Sequence, residues 1–134
     1  MARRLVVNVD GGARGNPGPA AIAAVASTPE GEVLAERSEA IGEATNNVAE
    51  YRAVLLGIEL GRELGASELE LVGDSELVVR QIRGEYKVKQ EHLRPLHLEV
   101  TKALTQLDAW SARNVPREQN ADADRLVNET LDAA

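Results

Sequence analysis

The chain has 134 residues, 43% of them hydrophobic, a formal net charge of −7 and no cysteine. This length suits a single domain over residues 1–134, and the hydrophobic content excludes a disordered chain. The absence of cysteine excludes disulfides, thiolate catalysis and thiolate-ligated zinc. No apolar stretch approaches the roughly 20 residues of a membrane span, so we expect no membrane partner. The first apolar run stops at Asn8 and Asp10 and is no signal-peptide core, so we expect a cytoplasmic protein. We also expect it to be a monomer.

The negative charge argues against loose binding to nucleic acid. Two local features can reverse that expectation. Divalent metals can neutralise an acidic site, and basic residues can gather on one face. A candidate basic patch lies within fifteen positions and comprises Arg80, Arg83, Lys87, Lys89 and Arg94.

The first part of the chain predicts three strands. Residues 3–10 are apolar, as in a central strand, and residues 20–27 are small and apolar. Residues 32–41 have the mixed polarity of an edge strand. The short turns between these segments predict antiparallel pairing.

The rest of the chain alternates between helix and strand. We predict helices over 46–64, 75–83, 91–107 and 120–131, and strands over 68–72 and 108–115. Pro95 must lie in the first turn of its helix or mark a bend. The order predicts an α/β fold, with a mixed five-stranded sheet and helices on both faces.

Four acidic residues fall at ends of the predicted elements. Asp10 ends the first strand and leads into a glycine-rich turn, and Asp74 ends the fourth strand. Glu50 and Asp124 lie in the first turns of the first and last helices. Ligands of α/β sheets gather at the carboxyl ends of strands, so Asp10 and Asp74 lie side by side if their strands are neighbours.

Each acid except Asp10 also has a purely structural interpretation. Glu50 follows Asn47 by three positions, which resembles a capping box. Asp74 can cap the helix that starts at Ser75, and an acid such as Asp124 favours a helix N-terminus electrostatically. Capping gives no reason for Asp10, so the four together favour a functional site.

A cluster of carboxylates without histidine or cysteine suits a hard cation. Oxygen ligands favour Mg²⁺, with Mn²⁺ as a possible substitute, rather than zinc. Two such ions can stabilise both the attacking and the leaving oxygen of a phosphoryl transfer. The chemistry that this predicts is metal-assisted phosphodiester hydrolysis.

Four ordered motifs resemble those of the type 1 ribonuclease H family, which cleaves the RNA strand of RNA–DNA hybrids. The motifs are residues 10–19 (DGGARGNPGP), 45–51 (TNNVAEY), 73–79 (GDSELVV) and 115–126 (VPREQNADADRL). The resemblance spans nearly the whole chain, and the predicted element order agrees with it. It implies the ribonuclease H-like fold, two Mg²⁺ ions per site with substrate, an RNA–DNA hybrid duplex as partner, and 5′-phosphate and 3′-hydroxyl products.

The resemblance also implies catalytic and metal-binding roles for the four acids. Asp10 would bridge both ions, and Glu50 and Asp74 would help to hold the ion near the leaving 3′ oxygen. Asp124 would help to hold the ion that activates water. Asp122 competes for that last place, but Asp124 fits the spacing of the family motif better.

Substrate contacts follow from the same resemblance. Gly11, Gly12 and Asn16 would face the RNA strand, where backbone groups and an amide can recognise 2′-hydroxyls.

Three further positions match contacts at the start of the first helix. Thr45 and Asn47 correspond to residues that hold a DNA phosphate, and Asn46 to one near bases in the minor groove. For Asn46 and Asn47, helix capping is an equal alternative.

The chain departs from the family in two places. The basic protrusion of some members is missing, and Tyr86, Lys87 and Lys89 follow Gly84 directly. We expect that segment, with the neighbouring arginines, to contact the DNA strand, although a charge run is commonly just a solvated face.

The second departure is the absence of the histidine that many members carry before the fourth acid. Arg117 or Glu118 could replace it. His92 and His97 lie upstream on a polar helix and are expected to face solvent. Alternatives to a ribonuclease H are a hybrid-binding module without catalysis, an integrase-like enzyme and a purely structural α/β domain.

Overall fold

The computed structural model describes residues 3–134 and contains one mixed sheet. Its strands are β1 (Arg4–Ala13), β2 (Gly18–Ser27), β3 (Val33–Ala44), β4 (Glu68–Gly73) and β5 (Ala109–Asn114). The spatial order is β3-β2-β1-β4-β5. The pairs β1–β2 and β2–β3 are antiparallel, and β1–β4 and β4–β5 are parallel. The predicted fold class, the central β1 and the edge strand β3 are therefore confirmed.

The helices also follow the predicted order. They are α1 (Asn46–Glu63), α2 (Glu76–Ile82), α3 (Arg94–Leu104) and α4 (Ala121–Ala133). Short 3₁₀ turns at Glu91–Leu93 and Arg117–Asn120 precede α3 and α4. The predicted helix over 91–107 is thus shorter and starts with a 3₁₀ turn. Pro95 lies in the first turn of α3, where the missing N–H costs no hydrogen bond.

The prediction that β1 ends at Asp10 is wrong. Gly11, Gly12 and Ala13 continue the strand, and Ala13 pairs with Ala20 of β2. The pairing with β4 stops at Asn8. Asp10 therefore lies on a strand that is held on one side only, just past the point where β4 ends.

Two of the capping interpretations are also wrong. The cap of α1 is Thr45, whose hydroxyl oxygen accepts the Val48 N–H at 3.2 Å, so Asn47 is no cap. The prediction that Glu50 lies in the first turn of this helix is wrong for the same reason, since the first turn holds no acid. The cap of α2 is Ser75, which accepts the Val78 N–H at 3.3 Å. Glu50 and Asp74 are thus not needed to cap these helices.

Helices cover both faces of the sheet, as predicted. On one face, α1 packs closely because its glycines have no side chain: a Cβ on Gly57 would lie 2.5 Å from Val9 Cγ1, and one on Gly61 would lie 2.6 Å from Leu69 Cδ2. On the other face, Val127 and Leu131 of α4 pack against the small residues of β2. Within residues 3–134, none of the helices combines the length and apolar character that crossing a membrane requires.

Candidate active site

Three carboxyl groups converge beyond the end of β4. Asp10 comes from β1, Glu50 from α1, and Asp74 from the residue after β4. One oxygen from each lies within 4.8 Å of the others. The sequence-based expectation that Asp10 and Asp74 are neighbours is met because β1 and β4 are adjacent and parallel.

Glu50 reaches this cluster because α1 crosses β1 at a glycine. A Cβ on Gly11 would lie 2.3 Å from the carbonyl carbon and oxygen of Ala49 and 2.7 Å from the Glu50 nitrogen. The Gly11 N–H donates a 2.5 Å hydrogen bond to Glu50 Oε1. Gly11 thus allows the close approach and also orients the carboxylate, which the sequence reasoning missed because it assigned this glycine to the substrate.

Burial disfavours ionisation of all three acids, and repulsion by neighbouring carboxylates adds to this effect for Asp10 and Glu50. Asp10 is only 6% exposed, and burial followed by the charge of Asp74 raises its pKa to about 7. Burial, then the charge of Asp10, raises the pKa of Glu50 well above its ordinary value. Burial also raises the pKa of Asp74. A divalent cation would offset both effects, because its positive charge stabilises the ionised carboxylates and screens their repulsion of one another.

Asp124 lines the same cleft without joining this group of three. Its Oδ1 accepts hydrogen bonds from Arg117 Nη2 at 3.0 Å and from Arg117 Nε at 3.3 Å. Its charge adds to the rise in the Asp10 pKa, so the two carboxyl groups are close. Asp122 lies instead in a separate hollow beside Asn8, which agrees with the choice of Asp124.

A buried amide connects the fourth acid to the first, which the sequence analysis also missed. Asn120 is 1% exposed. Its Nδ2 donates to the Val9 carbonyl at 2.9 Å, and its Oδ1 accepts from Asn8 Nδ2 at 3.0 Å. It thereby fixes the start of α4 against β1, one residue from Asp10. The one sequence signal for this contact is an asparagine four positions before Asp124.

The acids form one wall of an open cleft of about 750 Å³. Four of the predicted substrate contacts line it, namely Gly11, Gly12, Asn46 and Asn47. Gly12 has room beside it, since a Cβ there would meet nothing nearer than Val127 Cγ1 at 3.7 Å. The cleft is therefore edged by backbone and amide groups as well as by carboxylates.

Asn16 and Asn46 build the adjoining rim together. The Asn46 N–H donates to Asn16 Oδ1 at 3.0 Å, and the Asn46 side chain accepts the Ala13 N–H at 2.9 Å. These bonds use the Asn16 carbonyl oxygen, so its amide hydrogens are the part that can contact a substrate. Thr45 accepts a bond as the cap of α1 and still has its hydroxyl hydrogen to donate.

The remaining predicted contacts lie elsewhere. Another hollow, of about 460 Å³ and beside α2, is lined by Tyr86, Lys87 and Lys89 together with residues of that helix. The Arg80 guanidinium lies 5.3 Å from the centre of the Tyr86 ring. The structure does not bring these three residues to the acid cluster.

The loop that lacks the family histidine places Arg117, not Glu118, at the cleft. His92 is exposed, as expected. The expectation for His97 is wrong, because it is partly buried: its ring meets Tyr51 edge-on, and its Nε2 donates to the Gln81 carbonyl at 3.1 Å. A turn of α3 packed against α2 buries it.

Comparison with known proteins gives a consistent family assignment. The family model described as "Reverse transcriptase-like" matches residues 8–130. The chain is 43% identical to the ribonuclease HI of Halobacterium salinarum over 98% of its own length and 66% of that protein. It superposes on the crystal structure of RNase H1 from the same archaeon with a TM-score of 0.95, covering 98% of this chain and 99% of that one.

Two further relatives extend the comparison. The chain is 46% identical over 98% of its length to the bifunctional protein Rv2228c of Mycobacterium tuberculosis, of which it spans 36%, about a third. It is also 42% identical to LC11-RNase H1, solved in complex with an RNA/DNA hybrid, with a TM-score of 0.92 over 96% of this chain and 97% of that one.

Proposed function

This chain belongs to the type 1 ribonuclease H family, and we propose that it is a metal-dependent endoribonuclease that hydrolyses the RNA strand of RNA–DNA hybrids. The observation that carries the proposal is the convergence of Asp10, Glu50 and Asp74 within 4.8 Å, in the cleft that Asp124 also lines. The relative solved with an RNA/DNA hybrid supports the substrate.

The residues of the cleft fit a divalent cation of the Mg²⁺ type. The four acids supply carboxylate oxygens, the donors that Mg²⁺ and Mn²⁺ prefer. Burial raises the pKa of Asp10, Glu50 and Asp74, and a bound cation would favour the ionised forms of these groups, which supports a metal site. Asp10, Glu50, Asp74 and Asp124 would hold two such ions. When bound, these ions would supply Lewis-acid activation of water and stabilisation of the leaving 3′ oxygen.

The protein groups orient these ligands and neutralise charge. The Gly11 N–H holds Glu50 in place, and Arg117 fixes the Asp124 carboxylate through two bonds. Hydrolysis forms a bond from water oxygen to phosphorus and breaks the bond to the 3′ oxygen, which takes up a proton. The products would carry 5′-phosphate and 3′-hydroxyl ends.

Substrate selection is proposed to rest on the cleft rim. Gly12 and the Asn16 amide would test for the 2′-hydroxyls of the RNA strand. Asn46 and Asn47 edge the same cleft, and Thr45 caps α1 beside them with a hydroxyl hydrogen for a phosphate of the DNA strand. Of the predicted contacts, Gly11 is the weakest, since its N–H is already bonded to Glu50.

The decisive experiment compares Asp10→Asn with Asp122→Asn. Each change removes one carboxylate charge, but Asp122 lies outside the cleft. With labelled RNA–DNA hybrid, RNA–RNA and DNA–DNA duplexes, we expect Mg²⁺-dependent cleavage of the hybrid only. Asp10→Asn should abolish it and Asp122→Asn should leave it intact. Strong cleavage by Asp10→Asn would contradict the proposal. Tight binding of the hybrid in EDTA, with no cleavage in Mg²⁺ or Mn²⁺, would instead favour a binding module without catalysis.

A further inference from the structure

A second groove adjoins the acidic cleft on the α2 side of the sheet. It has a volume of about 660 Å³ and lies between α2 and the edge strand β5. Asn114, the last residue of β5, lines both the groove and the cleft. The groove therefore continues from the cleft at Asn114.

The far part of the groove carries the single tryptophan of the chain. Trp110, Ala112 and Asn114 alternate along β5 and so share one face. Ala112 is buried in the core on that face, whereas Trp110 is 38% exposed. At the rise of a strand, Trp110 lies about 13 Å from Asn114, which is about four base steps of a stacked nucleic-acid strand.

The groove is basic although the whole chain is acidic. Arg80, Arg83 and Arg113 line it, with Glu85 as its one lining acid within residues 3–134. Glu85 bonds to both Arg80 and Arg83, at 3.2 and 2.8 Å. The Arg113 guanidinium lies 3.1 Å from Glu70. All three arginines remain about half exposed, with 42%, 46% and 55% of the side chain accessible.

We propose that this groove binds a single-stranded nucleic-acid extension that leaves the hybrid at the cleft, with Trp110 stacking on one of its bases. An exposed aromatic beside a row of cations is the combination that holds single strands without sequence preference. Stacking on Trp110 requires a base face that a continuing duplex would occupy by its own stacking. The substrate class would thus be hybrids with an unpaired extension, and this part of the inference rests on the proposed function.

The first test is independent of cleavage. Because the chain has one tryptophan, its fluorescence reports on this groove alone. Titration with single-stranded oligothymidylate in EDTA at low salt should quench it, and Arg83→Gln should reduce the salt dependence of binding by about one counterion. Absence of quenching up to millimolar oligonucleotide would overturn the inference, while leaving hybrid cleavage untouched.

The second test measures preference among hybrids. We expect tighter binding of a hybrid with a single-stranded extension of about four nucleotides than of the blunt hybrid, by fluorescence anisotropy. Trp110→Ala should remove at least about fivefold of that preference, the low end of one base–aromatic stack, and Trp110→Phe should retain most of it. Leu98→Ala, at another exposed apolar residue, is the matched control. The proposal would be overturned if a hybrid with a double-stranded extension bound as tightly as one with a single-stranded extension. It would also be overturned if Trp110→Ala kept the full preference for the single-stranded extension.

Discussion

The Gly11 N–H donates to Glu50 Oε1 where the backbone of α1 packs directly against β1. The contact is possible because Gly11 has no Cβ. One residue therefore sets both the distance between strand and helix and the direction of a proposed metal ligand.

Gly11→Ala should impair both stability and cleavage. The new Cβ would lie 2.3 Å from the Ala49 backbone, so α1 must move away and take Glu50 with it. We expect a loss of about 1–3 kcal/mol in the free energy of unfolding, as for overpacked cores, and a fall in kcat. Urea unfolding and steady-state cleavage would measure the two effects. Gly12→Ala is the control for stability, since its Cβ has room within the protein; an equal loss of stability in both variants would refute this account.

The metal-free protein should lose stability as pH rises. The pKa of Asp10 is about 7 in the folded protein against an ordinary 3.8, so the folded state binds its proton more tightly than the unfolded state does. The contribution of that carboxyl group is therefore fully present below pH 3.8 and is lost as pH rises to about 7. This difference corresponds to roughly 4 kcal/mol.

Comparison with Asp10→Asn isolates the effect, because the amide does not titrate. In EDTA, the variant should match the wild type near the ordinary pKa and become more stable above the raised one. Mg²⁺ should stabilise the wild type by mass action and the variant much less. Thermal unfolding across this pH range provides the measurement, and parallel pH curves for the two proteins would be the contrary result.

Arg117 should act through Asp124. Loss of its two bonds frees the Asp124 carboxylate to rotate, so Arg117→Gln should lower kcat more than it raises KM. Stability should change little, by at most about 1 kcal/mol, because the pair is exposed. Arg125→Gln breaks pairs with Glu36 and Glu129 outside the cleft and serves as the control. Unchanged kcat in Arg117→Gln would show that Asp124 needs no such support.

The sequence predicted the order of the elements, the mixed sheet with helices on both faces and the four acids that line the cleft, because strand periodicity and acids at element ends are local signals. The extension of β1 was missed because glycines following Asp10 look like a turn, while their pairing with β2 is a non-local contact. The role of Gly11 toward Ala49 was missed for the same reason. His97 was wrongly predicted to face solvent because its burial depends on how α3 packs against α2, and the polar pattern of the helix does not reveal that packing.

Asn120 makes another non-local contact that the sequence does not reveal, and it gives the last prediction. Asn120→Asp keeps the shape but replaces the donor to the Val9 carbonyl with an acceptor. A buried group left without its partner costs about 1–3 kcal/mol, and more when charged, so we expect at least that loss in urea unfolding. Because the bond ties α4 to β1 beside Asp10, kcat should also fall at temperatures where the variant is fully folded. Gln119→Glu makes the same chemical change at the exposed neighbour and should be near neutral. A stable Asn120→Asp with full activity would mean that Asp124 is positioned by Arg117 alone.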